Sequence, residues 1–126
     1  MTKKFLPILF AAALLTGCAS TFTNLSAQRQ VRNPNNLYPV EVKFDSKQQS
    51  LRWESIKPTV IVGRDQYPLK PTKLMRNRWE GLIPVPANAA QVSYFYKFDY
   101  QYNDFGKPPS TESASSANFT LKILEH

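Results

Sequence analysis

Histidine and cysteine are nearly missing from this chain: each occurs once, as Cys18 and as the final residue, His126. A histidine at a fraying terminus is a poor general base. Ser-His-Asp and Cys-His arrangements are therefore excluded, as is zinc held by His and Cys. One cysteine makes no disulfide within the chain, so the core has to hold without a covalent staple. Glycine is scarce too, four in 126 residues, with no Gly-rich run to cradle a phosphate. The acids, from Glu41 to Glu125, are scattered. Most alternate with apolar residues, which makes them solvated outer-face charges and not a general acid/base pair. Without those side-chain types the chain reads as a protein that is not an enzyme and that holds no metal or cofactor.

Long apolar runs are absent as well. A membrane-spanning helix takes about 20 residues, and Phe5–Leu15 has only eleven, with Pro7 among them. The run follows Lys3 and Lys4 and precedes Thr16-Gly17-Cys18. A basic start, a short apolar core and a small-residue cleavage site form a secretory signal. The Leu15-Thr16-Gly17-Cys18 ending resembles the lipobox of bacterial lipoproteins. The resemblance implies that residues 1–17 are a cleaved signal peptide. It also implies that Cys18 is the lipid attachment site, carrying a diacylglycerol thioether and an N-acyl chain. The only thiol is then spent. Two chains suffice for stable anchoring, at about 0.8 kcal/mol per buried CH₂. Ala19, not aspartate, follows the cysteine. In the enteric type of such proteins that implies the outer membrane, on its periplasmic side or at the cell surface. Loss of Lys3 and Lys4 takes the formal charge from +7 to +5.

Residues 18–36 are rich in Ser, Thr, Asn and Gln and end in Asn33-Pro34-Asn35-Asn36. They read as the lipidated cysteine and a flexible tether, with an r.m.s. span of roughly 23 Å. Residues 37–126 read as one domain. Tyr38, Val40, Val42 and Phe44 alternate with Pro39, Glu41, Lys43 and Asp45, and alternation of period two buries one face of a strand. Leu51 and Trp53 begin a second strand, Pro58 marks a break, and Thr59–Val62 is a β-branched run. Leu74-Met75 and Trp79–Ile83 flank Arg76-Asn77-Arg78. The longest strand candidate, Gln91 to Tyr102, has Val92, Tyr94, Tyr96, Phe98, Tyr100 and Tyr102 on one side. Asn103 to Ala117 is polar and small, a mobile loop by composition, and Phe119, Leu121 and Ile123 give a last strand.

Seven or eight short strands, with no helical period after Cys18, predict an all-β fold: a single small antiparallel β-sandwich. From Leu37 to Leu124 the arrangement resembles an immunoglobulin-like or fibronectin type III-like domain. Trp53 is the candidate for the buried tryptophan of such sandwiches. A transthyretin-like sandwich or a small barrel is the competing fold.

Two groups of residues are candidates for binding. Tyr100 and Tyr102, near the end of the long strand, and Phe105 in the following loop would stack on a sugar ring or anchor a partner. Arg76 and Arg78, in a basic cluster with Lys70 and Lys73, would face an acidic partner or anionic lipid head groups. The rest of the aromatic row reads as core. The expected function is a non-enzymatic, membrane-anchored envelope lipoprotein that acts as an accessory or protein-interaction module. The alternative is a module that binds glycan or another cell-surface polymer through exposed aromatics. The lipid anchor makes the membrane one partner, an envelope protein is the second, and no nucleic acid is expected.

Overall fold

The structure, a computed structural model, describes residues 20–125. The leader, Cys18 and His126 lie outside the described residues. Two strands carry the architecture. In β3 (Leu37–Ser46), Tyr38, Val40, Val42 and Phe44 are buried. In β8 (Gln91–Asp104), Tyr94, Tyr96, Phe98 and Tyr100 are buried, with half-buried Val92 and Tyr102 at either end of the same row. Each strand turns a continuous apolar face inward, and the two faces meet.

The first sheet has the order β1-β3-β7-β6, built from β1 (Ser20–Asn24), β3, β7 (Arg78–Pro84) and β6 (Lys70–Pro71). The second has the order β2-β10-β8-β4-β5, from β2 (Arg29–Val31), β10 (Phe119–Leu124), β8, β4 (Leu51–Val62) and β5 (Asp65–Pro68). A further strand, β9 (Lys107–Ser115), pairs with β8 alone. All pairings are antiparallel except β2 with β10, which is parallel. This is the order of an immunoglobulin-type sandwich. Its last strand is split: β9 and β10 run along the same edge of β8, interrupted at Ser116. There the Ser116 N–H donates to the Tyr96 carbonyl at 2.9 Å, and its Oγ accepts the Tyr96 N–H at 2.9 Å.

Between the sheets lies a cluster of rings. Phe44 and Phe98 stand 4.9 Å apart between centroids, and Trp79 and Phe22 each meet Phe98 edge-on at 5.1 and 5.2 Å. Such pairs add about 0.5–1.5 kcal/mol each beyond the area they bury. Toward the other end of β8 the core becomes polar at its margin. Tyr96 Oη donates to Asn24 Oδ1 at 2.8 Å, and Asn24 Nδ2 donates to Tyr94 Oη at 2.9 Å. Burial raises the Tyr96 phenol above its usual value of 10.0.

Four features differ from the sequence expectation. Within the expected tether of 18–36, the described residues from Ser20 onward form two strands. β1 pairs along β3 and packs Phe22 against Phe44 at 5.0 Å, and β2 pairs with β10. The polar composition that suggested a tether supplies the ties instead, through Asn24, Ser26 and Arg32. The Ser26 hydroxyl accepts the Glu41 N–H at 2.8 Å. Arg32 donates to the Pro86 and Ala89 carbonyls and to Glu125.

Pro58 does not break its strand, because β4 runs through it and the Pro58 carbonyl accepts the Leu69 N–H at 3.0 Å. Trp53 is 41% exposed and is not the buried tryptophan; Trp79 is buried instead. The β4–β8 register shifts between Arg52 and Lys57, and Ser55 Oγ fills the irregularity by accepting the Gln101 N–H at 2.8 Å. A shift of this kind turns side chains to the other face.

Finally, the expected loop from Asn103 to Ala117 is mostly strand. Phe105-Gly106 makes a tight turn, with Gly106 at φ +74, and β9 follows. Its composition is polar because it covers almost no core, not because it is unpaired.

Candidate functional site

The sandwich has two unlike ends. Ser20 pairs with Ser46, so the described chain begins at the end where β3 turns into β4. The β6–β7 loop and the β8–β9 turn lie at this end too. Arg78 pairs with Lys43 near the close of β3, and the Asn103 N–H donates to the Ser50 carbonyl at 2.9 Å. We call this end proximal. Glu125 lies at the other, distal end, where Lys122 pairs with Gln91 and Arg32 bonds Glu125.

Four apolar side chains stand out at the proximal end. Leu74 and Phe105 are fully exposed, and Met75 and Trp53 are about two-fifths exposed. The loop that presents Leu74 is well tied at its base. The Thr72 N–H donates to the Arg78 carbonyl, the Phe44 N–H donates to the Asn77 carbonyl at 2.9 Å, and Asn77 Nδ2 donates to Asp45. Between these ties the backbone is left-handed at Leu74 and Asn77, both at φ 63. That conformation is costly for a branched side chain and accumulates at functional positions. Its result is an apolar residue held in solvent on a fixed base. Trp53 leans on Phe44 edge-on at 6.3 Å, and with Arg76, Asn77 and Trp79 it lines an open groove of about 390 Å³.

Exposed cations surround these residues: Lys47 in the β3–β4 turn, Lys73 and Arg76 in the β6–β7 loop, and Lys107 after the β8–β9 turn. Among the described residues none of the four is in an ion pair. The nearby acids are engaged. Asp45 lies 3.8 Å from Lys43, Glu54 lies 3.2 Å from Arg52, and Asp104 accepts from the Ser110 hydroxyl at 3.0 Å. A backbone hydrogen bond, and then Arg52, lower the Glu54 carboxyl from its ordinary value.

The sequence candidates divide between surface and core. Phe105 and Arg76 come to the same end and are exposed. Arg78 sits at the foot of the loop, 3.9 Å from Glu41. Lys70 is on β6, paired in register with Glu80. Tyr100 is only 3% exposed. It packs on Phe44 at 5.9 Å and is thus a core residue, not a free binding surface. Burial, and then Glu112, raise its phenol above the usual value. Tyr102 is half-buried against the core. Trp53, Leu74 and Met75 were not among the sequence candidates. The signal for the loop was a stretch without alternation, Lys73 to Arg78, between Pro71 and Trp79. Among the described residues no three of His, Cys, Asp and Glu are grouped to hold a metal ion.

No family model, curated protein or solved structure matches the chain. The sandwich class rests on the order and pairing of the strands.

Proposed function

We propose that this protein is a non-enzymatic envelope lipoprotein, anchored through Cys18 at the outer membrane, whose sandwich docks onto another envelope protein by strand addition. The observation that carries the docking is the free outer edge of β9. Among the described residues this strand has β8 on one side and no neighbour on the other. The Ser116 N–H points to β8, so by the alternation of an antiparallel ladder Thr111, Ser113 and Ser115 turn their backbone groups outward. A row of unpaired donors and acceptors is a template for another strand. On the outer face of the sheet, over β8 between β4 and β9, lies an open groove of about 620 Å³, lined by Ile56, Lys57, Lys97, Asp99, Thr111 and Ser113, which would take partner side chains that reach across β9. The Ser113 hydroxyl bonds Asp99 and fixes the groove's wall. The aromatic row that motivated a glycan-binding alternative supports it less, because Tyr94, Tyr96 and Tyr100 are core residues.

The test is capture from membranes solubilised in mild detergent, after cross-linking. The expected result is a discrete envelope partner with the unmodified protein and its loss with Thr111→Pro/Ser113→Pro. Proline is tolerated at an edge where the lost N–H faces outward. Recovery of the protein alone, repeatedly, would sink the proposal.

A further inference from the structure

We infer that the proximal end of the sandwich is itself a membrane contact, seating Leu74, Met75, Phe105 and Trp53 against the head groups of an anionic lipid bilayer. Three independent observations meet there. The first is where the described chain starts. Ser20 lies at this end, and Cys18 is two residues before it. Two peptide units reach at most about 7.6 Å between Cα atoms. A lipid on Cys18 therefore enters the bilayer beside this end and no other.

The second is the apolar tip. Leu74 and Phe105 are wholly exposed and come from different loops, yet they share the end of the molecule with Trp53 and Met75. Apolar and aromatic side chains on a polar base are the residues that settle at a membrane interface. The third is charge. Lys47, Lys73, Arg76 and Lys107 ring the tip without ion-pair partners among the described residues. Each cation near an anionic surface raises affinity by about five-fold. Apolar tip and basic collar suit a phospholipid surface better than an acidic peptide, which would need no row of exposed apolar groups.

The position of the lipid in this inference rests on the lipoprotein reading; the apolar and basic tip does not. Contact at this end fixes the orientation of the sandwich. Its long axis stands away from the bilayer, and the open edge of β9 runs upward from the membrane from Lys107.

The test uses the mature protein reconstituted into vesicles. Phe105→Cys carries an environment-sensitive dye, and Asn35→Cys, in the distal β2–β3 connection, carries the same dye as reference. With vesicles containing 30% phosphatidylglycerol, spin-labelled lipid should quench the dye at 105 at least about three-fold more strongly than the dye at 35. Lys73→Glu/Arg76→Glu should remove most of that difference, and neutral phosphatidylcholine vesicles should reduce it. Equal quenching at the two positions would overturn the inference. So would protection of position 105 in native membranes but not in pure lipid, which would assign the tip to a protein partner.

The anchor is read separately, by thiol titration of the unmodified protein. A blocked Cys18 supports lipidation. A free thiol removes the lipoprotein reading, while the dye at 105 still reports whether the tip meets added vesicles.

Discussion

The two ends of this sandwich are made from the same kind of connection and used in opposite ways. At the distal end, loops are drawn inward. Arg32 reaches the Pro86 and Ala89 carbonyls and lies 2.7 Å from Glu125, while the Asn33 N–H donates to Tyr38 Oη. At the proximal end, loops are braced at the base and open at the tip. Asn77 is held by β3, but Leu74 and Phe105 touch solvent on every side. Hydrogen bonds at one end are spent on closure, and at the other on presenting side chains that contribute nothing to the core. A surface that costs stability without returning any is where function is expected.

Four variants sharpen this contrast. Phe98→Ala should have the largest effect. It removes the ring shared by Phe22, Phe44 and Trp79, and should cost about 3–5 kcal/mol by denaturant unfolding. Retention of most of the stability would mean that the two sheets are held chiefly by their polar margins.

Tyr96→Phe should cost about 1 kcal/mol near neutral pH by removing the hydroxyl that bonds Asn24. It should also change the alkaline limb. The Tyr96 phenol is raised in the folded protein, so above pH 10 the unfolded chain ionises first and stability falls as pH rises, by at most about 1.4 kcal/mol per pH unit. The variant should show a shallower decline, measured as unfolding midpoint against pH from 9 to 11.

Arg32→Ala should lower the melting temperature by a few degrees and should raise hydrogen exchange at the distal loops only. Leu74→Ser/Phe105→Ser should change stability by less than about 0.5 kcal/mol, since both side chains are exposed. A large loss there would break the comparison, because it would make the proximal tip part of the core.

Much of the fold was legible in the alternation of β3 and β8, where the buried sets are the residues that periodicity selects. The sandwich class followed from the strand count. What escaped was every strand whose faces are not divided into dry and wet. β9 has no apolar face because it lies at an edge, and β1 and β2 hide one packed ring, Phe22, among hydroxyls and amides. Trp53 was misread because the shift in β4 is set by its pairing with β8, which no local pattern encodes. Of the site, Phe105 and Arg76 could be named from composition. Their meeting with Leu74 and Trp53 depends on which end each loop reaches, and that is a property of topology.

The parallel pairing of β2 with β10 has a consequence in time. Residues 29–31 and 122–124 are neighbours in space and stand near opposite ends of the described chain. A polypeptide is made from its N-terminus, so β2 waits for its partner until every strand from β3 to β9 has appeared. Contacts of such separation close slowly. Any product cut short before Phe119 would leave β2 without a partner and Arg32 without Glu125. Strand β10 and Glu125 thus act as a late clasp, closing onto β2 and Arg32 only after the strands between them have been made.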